Sequence, residues 1–340
     1  MPQKKRDNIN LILDIVLVLA LIAVVFSVRA LVRVKAEERA AKEAAVTAQY
    51  SVTEKSAPAK SASPMPDTGD TGEEQSNNYI NIVRGEIPEG DGLEVRFLDV
   101  GQGDAALIIC SGHAALIDGG HTSKSSFMYS YLKKYGIDHL DFVIASHPHV
   151  DHVGGLAGAL NFAKTDAAYC TVTEYDTKPF NNFVKYLNKQ GVMLNTLTAG
   201  DELTLGEARL EILAPGEDPC LTENTSIVIK IIYGDVSFLF TGDCEELDEK
   251  LMIESGCDLK CDVLKVPHHG SAYSTSYHFL YETWPAVAVI SAGEDNTYGH
   301  PAETVLSRLT DSGAEIYRTD ENGTITMKTD GESLFVKTEK

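Results

Sequence analysis

Residues 146–155 read Ser-His-Pro-His-Val-Asp-His-Val-Gly-Gly and place His147, His149, Asp151 and His152 within six positions. Imidazole with carboxylate is the donor set that zinc and similar divalent ions prefer. The residues at 148 and 150 let alternate side chains of an extended loop point one way, so His147 and His149 can grip one cation. Asp151 and His152, where the loop enters a helix, can grip a second. The bland alternative is a His-rich surface loop without metal, but three His and one Asp rarely coincide at this spacing.

Other strand ends offer further donors. Thr241-Gly242-Asp243 follows the apolar run from Val236, and a carboxylate after a glycine that admits a close backbone is placed to bridge two cations. A lone Gly-Asp also serves as an ordinary turn. Pro267-His268-His269-Gly270-Ser271 follows Val263–Val266, and adjacent histidines point apart, so one can ligate while the other faces substrate. His300, in Tyr298-Gly-His-Pro301, opens a helix and could donate a proton or touch an anion; a solvated loop histidine is its plainer reading. Asp118-Gly-Gly120 offers a carboxylate to orient a ligand imidazole or to cap a turn. Asp99-Val-Gly-Gln-Gly-Asp104 reads as hairpin geometry with Asp99 and Asp104 near the pocket; it lacks the Lys and following helix of a phosphate loop.

Positioning these residues takes alternating strands and helices. Short β-like runs are expected at 93–100, 105–110, 114–118, 142–146, 169–172, 209–214, 225–233, 236–241, 263–266, 286–291, 315–318, 324–328 and 333–336. Helical runs are expected at 124–135, 152–162, 180–190, 246–254, 274–281 and 302–311. Hairpins mixed with helical crossovers imply two packed sheets with helices outside.

The 340 residues, 43% hydrophobic, allow one large domain plus appendages. A basic segment, residues 1–8, precedes an apolar stretch from Ile9 to Val28 broken only by Asn10, Asp14 and Ser27. About 20 such residues cross a hydrocarbon core of about 30 Å as a helix. A cleaved signal peptide is the rival, but its apolar run is usually shorter and no small-x-small site follows Val28. Residues 29–90 read as an Ala/Glu/Lys-rich stalk and then a Ser/Pro/acid-rich spacer that cannot bury a core. The folded domain is expected to start near Leu93, within 91–340. A spacer between anchor and domain suits a single-pass cell-membrane protein whose domain stands on the extracellular face.

From residue 91 on, 18 Lys and Arg face 38 Asp and Glu, a formal charge of −20. A general field of that sign repels polyanions, so nucleic acid would need bound cations and a local patch. The six cysteines (110, 170, 220, 244, 257, 261) form no Cys-x-x-Cys pair. They read as small buried thiols, with Cys257–Cys261 pairing as the alternative.

His147-Pro-His-Val-Asp-His152, Thr241-Gly-Asp243 and His268-His269 together resemble the metallo-β-lactamase superfamily. More narrowly, Leu98-Asp-Val-Gly-Gln-Gly-Asp104, Pro267-His-His-Gly-Ser271 and Tyr298-Gly-His-Pro301 resemble the hydrolase domain of ComEC-type DNA-uptake proteins over about 93–330. The resemblance implies an αββα sandwich with a dinuclear site at one edge of the sheets. It implies two divalent ions, Zn²⁺ or Mn²⁺, held by His147, His149, Asp151, His152, Asp243 and His269. Asp151 counts also among the catalytic residues, beside His268 facing the phosphoryl oxygens and His268 or His300 protonating the leaving alkoxide. Asp118, Asn224, Asp104 and Ser271 are expected behind the ligands or against substrate.

Two departures stand out. One candidate span is present where an uptake channel has many. Where many superfamily members place a third His, this chain reads Glu223-Asn-Thr-Ser226, so Asn224 or a water takes that place. The activity implied is phosphodiester hydrolysis, of DNA or of a wall polymer. A wall phosphorylcholine or teichoic-acid esterase, lactam hydrolysis, and an inactive binding module on a membrane stalk are the competing expectations.

Overall fold

Buried side chains alternate along strands such as Leu93–Phe97 and Ala208–Ala214 and run continuously along others such as Val287–Ile290, and two sheets result. The computed structural model describes residues 80–216 and 225–340. Strands β1 (Asn81–Arg84), β2 (Leu93–Phe97), β3 (Ala106–Cys110), β4 (His113–Ile117), β5 (His139–Ile144), β6 (Lys164–Tyr169) and β7 (Leu194–Asn195) enter the first sheet. Strands β8 (Glu202–Leu205), β9 (Ala208–Ala214), β10 (Val228–Tyr233), β11 (Val236–Phe240), β12 (Val263–Lys265), β13 (Val287–Ile290) and β14 (Glu315–Arg318) build the second. The chain then returns to the first with β15 (Ile325–Thr329) and β16 (Ser333–Thr338). Among the described residues the spatial orders are β1-β16-β15-β2-β3-β4-β5-β6-β7 and β14-β13-β12-β11-β10-β9-β8.

Three apolar layers show what alternation achieves. Val95 and Phe97 of β2, Ile108 of β3, Ile229 and Ile231 of β10, and Phe238 and Phe240 of β11 meet between the sheets. Phe97 stacks on Phe240 across that layer at 5.6 Å. The opposite face of the first sheet (Leu107, Leu116, Val143) packs on α1 (Ser125–Tyr135), α3 (Leu156–Phe162) and α4 (Lys178–Gln190) through Met128, Leu132, Leu160, Phe180 and Phe183. The outer face of the second (Leu239, Leu264, Ile290) packs on α5 (Glu246–Ser255), α6 (Tyr277–Thr283) and α7 (Glu303–Asp311). Helix, sheet, sheet, helix is the αββα order. Each large side chain so buried contributes about 1.5–3 kcal/mol. Helix α4 shows the local logic: Pro179 in its first turn, Phe180, Phe183 and Leu187 on its buried face, and left-handed Gly191 (φ 77°) at its end.

The structure departs from the sequence expectations at several places, among them the strand expected at 169–172, which lies at Lys164–Tyr169, and the unexpected short strand β7. The first sheet begins before residue 91, because Asn81–Arg84 pairs in parallel with Ser333–Val336; only Ile82 of that strand is partly buried, so no apolar signal marks it. The expected helix 152–162 is two, α2 (Val150–Val153) and α3, separated by Gly154-Gly155. The backbone of Gly119 comes so close there that a Cβ on Gly155 would lie 1.9 Å from its carbonyl oxygen. Strand β8 was unforeseen, since only Leu205 of its four residues is buried.

The segments 1–8, 9–28 and 29–79, together with Asn224 and Cys220, lie outside the described residues. Among the described residues no helix is long and apolar enough to cross a membrane. The described cysteines are free thiols, four buried and Cys257 partly so.

Candidate metal centre

Strand ends converge at one edge of the two sheets. Strands β4, β5, β11, β12 and β13 deliver Asp118, the 146–152 loop, Asp243, the 267–271 turn and Ser291, and the loop before β3 delivers Asp104. Strand β4 runs parallel to β5, and β11, β12 and β13 run parallel to one another, so these ends face the same way.

Two groups of donors share Asp243. Asp151, His152, Asp243 and His269 form one; His147, His149 and Asp243 form the other, and in each the ligand atoms lie within 4.8 Å of one another. Asp243 Oδ1 is 3.2 Å from His152 Nε2 and 3.5 Å from His269 Nε2, while Oδ2 is 3.7 Å from His147 Nε2. Asp151 Oδ2 lies 3.4 Å from His269 Nε2 and 3.9 Å from His152 Nε2. Asp104, Asp118 and His152 also cluster, but there His152 Nδ1 pairs with Asp118 Oδ2 and Asp104 Oδ2 pairs with Lys265.

The imidazoles are fixed from behind. Asp118 accepts from Ser146 N–H (2.7 Å), from Ser146 Oγ (2.7 Å) and from His152 Nδ1 (2.9 Å). Ser146 Oγ in turn lies 3.1 Å from His147 Nδ1, with Ser226 Oγ at 3.3 Å. The Ser291 carbonyl takes His269 Nδ1 at 3.0 Å. With each Nδ1–H so engaged, the Nε2 lone pairs of His147, His152 and His269 face inward. All three are buried without a hydrogen-bond partner, as is Asp243 Oδ1. Leaving four such atoms unpaired costs about 1–3 kcal/mol each, and divalent cations are the species that would satisfy them together. The donor set fits two divalent ions.

Backbone geometry supports the convergence. Gly242 (φ 51°) brings its turn against Ser226, where a Cβ would lie 2.5 Å from the hydroxyl. Ser226 Oγ then accepts from Asp243 N–H at 2.9 Å. His268 and His269 both adopt left-handed conformations (φ 49° and 56°), and two successive non-glycine residues there hold strain at the site. The turn is pinned by His268 N–H donating to Gly242 O (2.9 Å) and Ser271 N–H to His268 O (2.8 Å). Ser271 is buried and braces this turn.

The two adjacent histidines differ in exposure. His269 is buried within the donor group, whereas His268 is partly exposed, its Nε2 3.6 Å from Asp243 Oδ2 and its Nδ1 3.5 Å from Glu245 Oε1. The His300 ring stands 5.6 Å from that of His268 and 6.3 Å from that of His269. Burial, followed by the charges of His269 and His268, pushes His300 down to about 4. His300 therefore faces the site as a neutral imidazole at pH 7, suited to hydrogen bonding more than to delivering a proton.

One functional residue went unnoticed in the sequence. Lys265, at the buried end of β12, sits 2.8 Å from Asp104 Oδ2 and donates to Val266 O. Asp104 lies under His269, its Oδ1 3.2 Å from Nδ1. Burial alone would raise the Asp104 carboxyl, but the Lys265 ammonium and then His269 hold it down to about 2. The only signal was a lysine closing an apolar strand just before Pro-His-His. For Asp243, burial is likewise outweighed by His152, His269 and His147, which keep the carboxylate ionised.

Residues 98–294 match the family model of the metallo-beta-lactamase superfamily, and the chain belongs to that superfamily. It is 31% identical over 251 residues to ComE operon protein 3 of Bacillus subtilis, covering 68% of this chain and 32% of that protein. Recombination protein 2 of Haemophilus influenzae is 35% identical over 223 residues (64% and 26%), and competence protein ComA of Neisseria gonorrhoeae 28% over 242 (70% and 32%). The chain thus spans about a third or less of the length of these curated relatives.

Proposed function

We propose that this protein is a phosphodiesterase dependent on two divalent ions, zinc or manganese. The carrying observation is that three buried, unpartnered imidazole nitrogens and two carboxylates converge on one point, each imidazole oriented from behind. His147, His149 and Asp243 would hold one ion; Asp151, His152, Asp243 and His269 the other. When bound, such ions supply Lewis acidity toward a phosphoryl oxygen and acidify water.

The chain's own residues do the rest. Asp118 fixes the ring of His152 directly and that of His147 through Ser146. Ser291 O and Asp104 fix His269. His268 lies on the open side of the donor set, where a phosphoryl oxygen or the departing alkoxide would stand, and protonation of that alkoxide falls to it. His300, neutral, offers an N–H to the same region.

The competence relatives support DNA as the phosphodiester, and the acidic domain requires that cations and a local patch bring it in. The apolar stretch 9–28 supports a single-pass anchor, and the spacer that follows it supports a domain on the outer face. Turnover by the full chain with Zn²⁺ or Mn²⁺ tests the reading on bis-p-nitrophenyl phosphate, single-stranded DNA and p-nitrophenyl phosphorylcholine. Asp243→Asn should lower hydrolysis by at least about a hundredfold, since it removes the shared ligand. Full activity in that variant would defeat the reading, and turnover of the phosphorylcholine ester alone would favour a wall esterase.

A further inference from the structure

A second cleft lies away from the donor set, between α1 and strands β15 and β16. It encloses about 340 Å³ and is lined by Phe127, Tyr131, Lys134, Tyr135, Thr326 and Lys337, among others. Phe127, Tyr131 and Tyr135 are four residues apart on α1, so they stand in a row. Their rings lie 5.5 Å and then 4.7 Å apart, centre to centre.

Cations gather at the far end of the row. The Arg96 guanidinium, ion-paired with Glu94, sits 4.3 Å from the centre of the Tyr135 ring, and Lys134 Nζ 5.1 Å from it. Lys337 carries a further charge, paired with exposed Glu86 at 2.7 Å. Glu339 is the acid among the lining residues, and its carboxylate is taken by Thr324 N–H at 3.1 Å. With Arg96 and Lys337 ion-paired to Glu94 and Glu86, Lys134 is the cation of the row with no such pair among the described residues, and the cleft is locally far less negative than a domain of formal charge −20.

Thr324, in the cleft lining, accepts from Asp99 N–H at 3.3 Å. Asp99 opens the loop that carries Asp104 beneath His269. The cleft lining therefore adjoins, through Thr324 and Asp99, the loop that flanks the metal donors.

We infer that this cleft binds single-stranded nucleic acid and guides it toward the donor set. The inference rests on the phosphodiesterase reading for its purpose but not for its binding chemistry. Lysine and arginine attract any polyanion, whereas a row of flat rings is useful only to a ligand that carries a flat ring with each phosphate. A polyol phosphate of the wall-polymer kind has no such face. Base stacking on an aromatic side chain is sequence-tolerant, so no base preference is expected.

The test uses the full chain, treated with chelator for binding and loaded with Zn²⁺ for turnover. Fluorescence anisotropy with a labelled oligothymidylate reads affinity, and unlabelled poly(glycerol phosphate) serves as competitor. Tyr135→Ala and Lys134→Glu, both at exposed positions, should each weaken oligonucleotide binding by at least about fivefold. They should raise KM for oligonucleotide cleavage to a similar degree and leave bis-p-nitrophenyl phosphate turnover unchanged, which also shows that the variants fold. Wild-type affinity in both variants would overturn the inference. So would an unmodified chain that ignores the oligonucleotide or prefers the polyol phosphate. Loss of binding in the variants, with no bis-p-nitrophenyl phosphate turnover by any form, would uphold the cleft and sink the phosphodiesterase reading instead.

Discussion

Replacing Asp118 by Asn changes one atom yet should loosen both cations. The native carboxylate accepts three hydrogen bonds, two from Ser146 and one from His152 Nδ1. Asparagine can keep the Ser146 N–H bond through its carbonyl, but its NH₂ then faces Ser146 Oγ and His152 Nδ1. The His152 ring must put its proton on Nε2, which points at Asp243 Oδ1 only 3.2 Å away, and a protonated Nε2 cannot ligate. Ser146 Oγ, turned to accept from the amide, also meets His147 Nδ1 at 3.1 Å differently. Losing such support typically costs 10–100-fold in metal affinity, or about 1.4–2.7 kcal/mol. Zinc titration of the full chain against a chromogenic chelator reads both sites. The variant should retain its melting profile in excess zinc, bind at least one ion about tenfold or more weakly, and lose hydrolysis in step. Two equivalents bound at native affinity would refute the claim that Asp118 sets the tautomer of His152.

Two other outcomes follow from the same site. Lys265→Met removes the nearer of the two cations on buried Asp104, leaving only His269 beside it, and should destabilise the chain by up to about 3–5 kcal/mol; the double variant with Asp104→Asn should recover most of that in denaturant titration, and no recovery would mean that the pair is not what holds this corner. In chelator, burial opposes the charge on His269, but Asp243 and then Asp104 together outweigh it and raise the imidazole from its ordinary 6.5 to about 9. Its contribution is then full below pH 6.5 and lost as pH climbs through about 9, so the melting temperature of the metal-free chain should fall across that window. Metal binding needs neutral imidazole and strengthens as pH rises, so the zinc-loaded chain should show no such fall; parallel curves would contradict the assignment of His269 as a ligand.

The donor loop was legible because its meaning is local. His147, His149, Asp151 and His152 need only six residues of chain to approach one another, and strand alternation of the Val95-Phe97 kind fixes a sheet face by its period of two. Asp243 and His269 announced themselves by following apolar strands with glycine beside them. Strand β1 and strand β8 were illegible for the opposite reason, since neither carries enough buried side chains to leave a pattern.

By itself, then, the sequence determined the αββα class, the strand ends that bear chemistry, and the acidic character that any polyanionic ligand must overcome. Tertiary structure alone decided which atoms meet. Asp104 with Lys265, Asp118 with His152 through 34 residues, and the aromatic row of α1 against β15 and β16 are pairings across long stretches of chain. Hydrogen-bond direction, and with it the choice of imidazole nitrogen, exists only once those stretches pack.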